Sequence, residues 1–338
     1  MLVYVTGATG FIGSHTVAKL AAHGHRVRLL VRRPERVASA FDAHGVAASA
    51  IESLVVGDAT DDVFVRSSMA GCDAVVHAAA VYSLDVAAAE KMRRTNVAAA
   101  RTVLGTARGL GIDPIVYVSS YVVFLGTGAT SIGPDDPVGD PSGAYAVSKA
   151  EAERLVRTWQ AEGVPITSIY PGTVWGPHDP RGALSDSQRT AYLLLRGRTP
   201  FAMAGGIPIV DVRSVAETIA ASLQPGLGPR RYLCGGTYTT WKELTRMMRE
   251  LSGRRLPQIP TPLALAEATG RLADALRPLG KRRPPFGFEG PWYLRVSPHT
   301  DDTRTQRELG VVHRPVRETL SDQLTWMLKE GLVGASRR

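Results

Sequence analysis

Met1-Leu2-Val3-Tyr4-Val5-Thr6-Gly7-Ala8-Thr9-Gly10-Phe11-Ile12-Gly13 opens the chain. A short apolar strand runs into a turn with glycines at Gly7, Gly10 and Gly13, and an apolar helix follows. Such a turn suits a dinucleotide pyrophosphate. It needs residues without Cβ constraints, backbone N–H groups close to the phosphates, and a helix whose positive end lies beneath them. Spaced glycines alone say little. Strand before and helix after are the context the motif requires. On this reading Thr6, Gly7, Thr9, Gly10, Phe11, Ile12 and Gly13 wrap the pyrophosphate.

Working outward, strands are predicted at Leu2–Val5, Val27–Val31, Ser53–Val56, Ala74–His77, Pro114–Val118 and Ile166–Tyr170. Helical stretches lie between them at Ile12–His23, Asp61–Met69, Ala87–Gly109 and Ala144–Glu162. Short β-rich runs alternating with longer helical patterns imply βαβ units with right-handed crossovers. The expected fold class is α/β, a doubly wound parallel sheet of the Rossmann type, with a smaller C-terminal substrate lobe. Residues 1–172 form the dinucleotide-binding domain and 173–338 mainly the lobe, with some segments returning to the sheet. In the second part, helices are predicted at Leu184–Arg196, Ser214–Leu223 and Trp241–Ser252, and strands at Ile207–Val210 and Arg231–Leu233. Gly126 to Gly143, rich in Gly, Pro, Asp and Ser, reads as a mobile loop.

The 338 residues, 44% of them hydrophobic, suffice for one large domain or a domain plus a lobe. Cys72 and Cys234 are too few for a disulfide framework and read as buried apolar residues of a reducing compartment. A first strand starting at Leu2 leaves no room for a signal peptide, and no apolar run is long enough to cross a bilayer, so a cytoplasmic location is expected. The net charge of +9 raises nucleic-acid binding, but the basic residues are scattered and no helix-turn-helix or metal-finger pattern occurs. No nucleic-acid partner and no metal are expected. Lys281-Arg282-Arg283 reads as a solvated loop before it reads as an anion or lipid contact. The Ala- and Leu-rich helix near Pro262–Leu279 is expected to pack on the lobe or on a second subunit; a membrane-surface helix is the other reading, which a polar face that is not strongly basic leaves unsupported.

The adenosine half of the cofactor should rest at the end of the second strand, where an acid usually selects NAD. Val31 stands there instead, followed by Arg32, Arg33 and Arg36. Guanidinium groups pair with a 2′-phosphate, so NADP(H) is preferred, with NAD(H) possible. Asp58, in Val56-Gly57-Asp58-Ala59, could accept from the adenine amino group or cap the next helix. Ala78, Ala79 and Ala80 let the backbone approach the cofactor ribose, while His77 reads as a packed strand-end histidine.

Tyr145-Ala146-Val147-Ser148-Lys149 carries the chemistry. On a helix, residues four apart share a face. An ammonium beside a phenol favours the phenolate, which can then exchange a proton with a substrate oxygen near neutral pH. Ser119-Ser120 ends the fifth strand and offers a hydroxyl to that oxygen. Asn96, inside a long helix, is read as bonding backbone or water and linking Lys149 to a proton path. Pro171-Gly172, with Val174 just beyond, should lie under the nicotinamide, with an amide N–H free for its carboxamide.

Thr6-Gly7-x-x-Gly10-x-x-Gly13, Asp58, Asn96, the serine pair, Tyr145-x-x-x-Lys149 and Pro171-Gly172 occur in order. Over residues 1 to 235 the chain resembles the extended short-chain dehydrogenase/reductase superfamily, also called the NAD-dependent epimerase/dehydratase family. The resemblance implies a Ser, Tyr and Lys triad and puts its hydroxyl at Ser120. Tyr121-Val122 stands where sugar-nucleotide dehydratases carry an Asp-Glu pair, which disfavours elimination of water. The run Tyr170 to Pro177 looks closest to dihydroflavonol-reductase-like members. These imply an NADP(H)-dependent oxidoreductase acting on a small-molecule ketone or aldehyde and its alcohol. The alternative is a sugar-nucleotide epimerase with tightly bound NAD; a non-enzymatic nucleotide sensor is a third reading that the intact Tyr and Lys oppose. Tyr82, Tyr121, Trp175, His178 and Tyr192 are candidate substrate-binding residues. A homodimer through the helices near 87–109 and 144–162, common in the family, is a further expectation.

Overall fold

The structure is a computed structural model that describes residues 1–81, 89–180, 184–276 and 288–334. Tyr82 and the Lys281-Arg282-Arg283 run lie outside the described residues. In chain order the first half contains β1 (Leu2–Thr6), α1 (Phe11–Ala22), β2 (Arg26–Val31), α2 (Arg36–Phe41), β3 (Ile51–Val56), α3 (Asp62–Met69), β4 (Ala74–His77), α4 (Ala89–Gly109), β5 (Ile115–Val118), β6 (Ser131–Ile132), α5 (Ala144–Ala161) and β7 (Ile166–Pro171). The second half contains β8 (Thr173–Trp175), α6 (Asp186–Leu195), β9 (Phe201–Ala202), β10 (Gly206–Asp211), α7 (Val212–Ala221), β11 (Arg230–Cys234), β12 (Thr237–Thr240), α8 (Trp241–Ser252), β13 (Ile259–Pro260), α9 (Leu263–Leu276), α10 (Glu289–Val296), β14 (His299–Thr300), α11 (Thr303–Leu309) and α12 (Val316–Lys329).

Seven strands form one parallel sheet in the order β11-β7-β5-β4-β1-β2-β3. The chain winds outward from β1 in one direction and from β4 in the other. The crevice between their carboxyl ends is where such a sheet takes its ligand. Strands such as β4 and β5 are buried along their whole length because helices cover both faces. On one face α1 and α7 close over Val3, Val5, Leu29 and Val116; on the other α3, α4 and α5 close over Tyr4, Val75, Ile115 and Tyr117. The α3 helix starts where it does because the Asp61 side chain accepts from the Phe64 N–H.

The lobe has its own core around Trp175, Trp241, Leu320 and Met327, under a three-stranded sheet ordered β12-β10-β8. A capping box between Thr240 and Glu243 starts α8, and Gly253 in the left-handed region ends it. Segments from this half also return to the main sheet, since β11 pairs with β7 and α7 packs on α1.

The stretch from Gly126 to Gly143 departs from the mobile loop expected of its composition. Its β6 pairs in parallel with β14, Ser131 opposite His299. Two cations of α5 also grip it: Arg154 donates to the Gly139 carbonyl and Arg157 to the Asp136 carbonyl, each at 2.6 Å. Gly and Pro set its turns here; they do not loosen it.

Candidate active site

Each glycine of the first turn has a separate physical reason. Gly7 adopts φ of 77°, and a Cβ there would stand 2.6 Å from the Ala78 and Ala79 backbone at the end of β4. A Cβ on Gly13 would strike the Gly7 carbonyl, so α1 can pack this low only with glycine. Gly10 is the N-cap of α1 and has no side chain to satisfy its first N–H groups. A Cβ there would meet only the Gly7 carbonyl oxygen, at 3.3 Å. The helix end is therefore open to an external anion. Thr9, Gly10 and Phe11 line a cleft with Arg36, Ser39, Asp179, Pro180 and Ser185. The open helix start and the Arg36 guanidinium have the chemistry to hold a phosphate, while the buried Asp179 is occupied by the Ser185 N–H at 2.7 Å.

Thr6 does not face that cleft. It is buried, its Oγ1 is 2.8 Å from His77 Nδ1, and it accepts from the Ala79 N–H, so it braces the turn against β4. Around it, Ile12 and Ala78 pack partly buried on the core, Ala79 is half-buried and Ala80 is exposed. At the end of β2, Val31 is buried while Arg32, Arg33 and Arg36 are exposed. Asp58 uses one oxygen, Oδ1, to accept both the N–H and the hydroxyl of Thr60, at 2.9 and 2.8 Å. These bonds, assisted by the charge of Arg32, hold its carboxyl below the ordinary value. The helix cap that Asp58 could have supplied comes from Asp61 instead, and Ala59 packs against the core.

Catalytic candidates gather at the carboxyl end of β5. Lys149 is buried and its Nζ donates to the Val118 carbonyl at 2.9 Å. This ties the middle of α5 to the strand end that delivers Ser119 and Ser120. Burial pulls the ammonium down to about 8, and the Glu153 carboxylate one turn further along α5 opposes that fall. Glu153 itself is fully buried, accepting from Tyr170 Oη at 2.6 Å and from Arg157 at 3.2 Å. Tyr145 is half-buried on the same helix face, one turn before Lys149. Ser120 is buried and its Oγ accepts from the Val122 N–H at 3.4 Å, opening the single turn Tyr121–Phe124. His77 is the packed histidine expected: burial, with the Lys149 charge nearby, takes it down to about 3. It stays neutral, with its ring stacked 5.9 Å from that of Tyr117.

Several sequence expectations need correcting, and others hold in part. Asn96 bonds backbone as expected, with none of its hydrogen bonds going to Lys149. Its Oδ1 accepts from the Val81 N–H at 2.7 Å, and its Nδ2 donates to the Val81 carbonyl and to Ser148 Oγ. It clamps the chain leaving β4 to α5. The Gly172 N–H is not free for a carboxamide, because it donates to the Cys234 carbonyl at 3.0 Å. A Cβ on Gly172 would collide with Gly235 and Pro208, so this glycine serves the junction of β7, β10 and β11. Pro171 is buried in β7, and Val174 packs on the core with its carbonyl accepting from Ser187. Trp175 is fully buried in the lobe core and offers no surface to a substrate.

His178, at φ of 61°, sits beside His44, His15 and Trp326, with ring centroids 5.8, 6.4 and 6.5 Å away. It joins the lobe to α1 through a neutral histidine cluster; burial lowers His15 to about 3 and His44 to about 4. Among the described residues no group of His, Cys, Asp and Glu could hold a metal ion. Tyr192 packs on the lobe core with the Arg196 guanidinium 5.0 Å over its ring. Tyr121 does belong near the serine: its Oη lies 3.0 Å from Ser297 Oγ, in the aromatic cluster that Tyr145 packs against.

That cluster includes Trp292, with Phe288 and Tyr293 against it. These residues, like Asp179 and Ser185 in the cleft beside Gly10, carried no sequence signal, because they arrive from distant segments. Glu153 was legible in principle: Tyr145, Lys149 and Glu153 repeat at four-residue spacing.

The model of the NAD dependent epimerase/dehydratase family matches residues 3–235. The chain is 28% identical to sterol demethylase protein B of Methylococcus capsulatus, over 98% of this chain and 100% of that protein. It is 29% identical to a putative dihydroflavonol 4-reductase of Synechocystis, over 98% and 95% of the two chains. The crystal structure of gox2253 superposes with a TM-score of 0.78 at 28% identity, covering 98% of this chain and 99% of that one. The chain belongs to the NAD-dependent epimerase/dehydratase family, an extended short-chain dehydrogenase/reductase with a Rossmann sheet, and is an enzyme of that nicotinamide-using family.

Proposed function

We propose that this family member is an NADP(H)-dependent oxidoreductase interconverting a ketone or aldehyde and an alcohol. The observation that carries the reading is Lys149, buried and bonded to the Val118 carbonyl, one turn from Tyr145 and beside the strand end bearing Ser120. When bound, the nicotinamide supplies or accepts the hydride. Tyr145 holds the proton that passes to or from the substrate oxygen. The Lys149 charge favours the phenolate form of Tyr145, and the Ser120 hydroxyl steadies the charge on the same oxygen. Tyr121, Phe288, Trp292 and Tyr293 supply aromatic, water-excluding walls.

Exposed Arg32, Arg33 and Arg36 at the end of β2, with no acid in Val31's place, support NADP(H) over NAD(H). The relative named as a putative dihydroflavonol 4-reductase supports a reductase reading. Titration with NADPH and NADH, followed by turnover on aromatic ketones, sterols and UDP-sugars, tests it. NADPH should bind about tenfold more tightly or better and be consumed against a carbonyl substrate. NAD retained through purification, with UDP-sugar epimerisation and no net NADPH oxidation, would mark an epimerase instead.

A further inference from the structure

The α9 helix is inverted. Its two acids point inward: Glu267 is buried and pairs with Arg295 at 2.6 Å, and Asp274 accepts from the Phe288 N–H at 2.9 Å. Two of its leucines point outward while Leu263 packs on the lobe core: Leu265 is 55% exposed and Leu272 is 60% exposed, with Ala268 and Ala275 exposed on the same stripe. Just upstream, Pro257, Pro260 and Pro262 are exposed and Ile259 is 57% exposed. Aliphatic side chains at this spacing on one helix face normally turn to a core. Contiguous exposed apolar surface of this kind marks a contact with something other than water.

Charge selects the occupant. Between Gly253 and Leu276 the sequence holds only two acids, and both are turned inward. The exposed charges of this strip are Arg255 and Arg271. Beyond α9 the sequence adds Arg277, Lys281, Arg282 and Arg283 before the next acid, Glu289. The described exposed charges of the strip are thus both cations, and an apolar stripe with that bias is complementary to an anionic lipid surface, where leucines enter the acyl boundary and each cation adds attraction. A self-complementary face would need no such cationic bias. Among the described residues no helix is long and apolar enough to cross a membrane.

We propose that the outer face of α9, with Ile259 beside it, docks the protein on an anionic phospholipid bilayer. This places the bilayer next to the aromatic wall, because α9 packs on α10, which carries Trp292 and Tyr293. The proposal rests on α9 alone and stands or falls apart from the reductase reading.

The test is co-sedimentation of the full chain with phosphatidylcholine vesicles and with phosphatidylcholine–phosphatidylglycerol vesicles. The protein should sediment with the mixed vesicles, less with phosphatidylcholine alone, and less as salt rises. The double variant Leu265→Glu, Leu272→Glu should weaken vesicle binding about tenfold or more while its melting temperature and nucleotide affinity stay unchanged. No sedimentation of the parent protein with either vesicle overturns the proposal, and so does undiminished binding by the folded double variant. Light scattering that shows a dimer in the parent and a monomer in the variant assigns the face to a second copy and also overturns it.

Discussion

Two helices built largely of alanine and aliphatic residues, α1 and α9, bury opposite things. The α1 helix lies on the main sheet beside α7; it hides Phe11, Val17 and Leu20 and takes Ser14, His15 and Thr16 inside as well. Its charge, Lys19, turns out to meet Glu217. The α9 helix lies at the rim against α10; it hides Glu267 and shows Leu265 and Leu272 to solvent. Apolar residues make up more than half of each, and the two acids belong to α9. What differs is the neighbour: a sheet that must be covered admits only one orientation, whereas a rim helix with a guanidinium beneath it can be fixed by an ion pair.

The proposed chemistry sits on the side of the molecule whose sequence and structure agree, so the largest predicted effect lies there. Tyr145→Phe should lower kcat about a thousandfold, measured by NADPH oxidation, while the Kd of NADPH changes less than about twofold. Near-parental turnover would remove Tyr145 from the proton path and leave α5 as a structural helix like any other.

Packing gives the next test, directly between the two helices. Leu20, fully buried, should lose about 3 kcal/mol on substitution by alanine. Leu272→Ala should stay within about 0.5 kcal/mol of the parent. Urea midpoints at matched slopes measure both. Equal losses would mean that the outer face of α9 is covered in solution, and the contrast with α1 would disappear.

How much was legible follows the same division. Strands β1, β2, β4, β5 and β7 announce themselves as short β-rich runs between turn signals, and their edges fall within a few residues of expectation. The pair Tyr145 and Lys149 was legible because helical spacing alone puts them on one face. The partner of Lys149 was not, since Val118 is distant in sequence and only the closed βαβ unit brings its carbonyl near. The Gly172 N–H was misjudged for a similar reason: β11, which takes it, arrives some sixty residues later. The pairing of β6 with β14 joins two-residue strands far apart in sequence, too short to show any periodicity. Trp175 and His178 look like pocket residues beside a strand end, yet the lobe core and α1 claim them.

Burial of Lys149 makes a pH prediction of comparable size to the packing one. Its pKa falls from 10.5 to about 8 on folding, so between those values the unfolded chain holds more protons than the folded one. Stability without cofactor should therefore rise with pH across that window, by about 3 kcal/mol at most. Below about pH 8 the cost of the buried ammonium is fully present. Denaturant titrations at successive pH values should show the rise in the parent and a flatter profile in Lys149→Met. An equal slope in both proteins would show that Lys149 stays solvated, and the anchor at Val118 would lose its energetic meaning.

Arg32 probes the margin of the legible half, where the sheet ends in exposed guanidinium groups with no fixed core around them. If its role is a 2′-phosphate contact, Arg32→Gln should weaken NADPH binding about tenfold and leave NADH within about twofold. The control is already built in, because Arg32 also helps to hold the Asp58 carboxyl low. A change that reaches binding only through Asp58, on the adenine side, would weaken both cofactors alike. No change in either would leave Arg32 a solvated cation, and the cofactor preference would pass to Arg36, which lines the cleft with Thr9 and Gly10. The three outcomes separate on the ratio of the two dissociation constants, read from quenching of protein fluorescence, and only the first keeps selectivity at the end of β2.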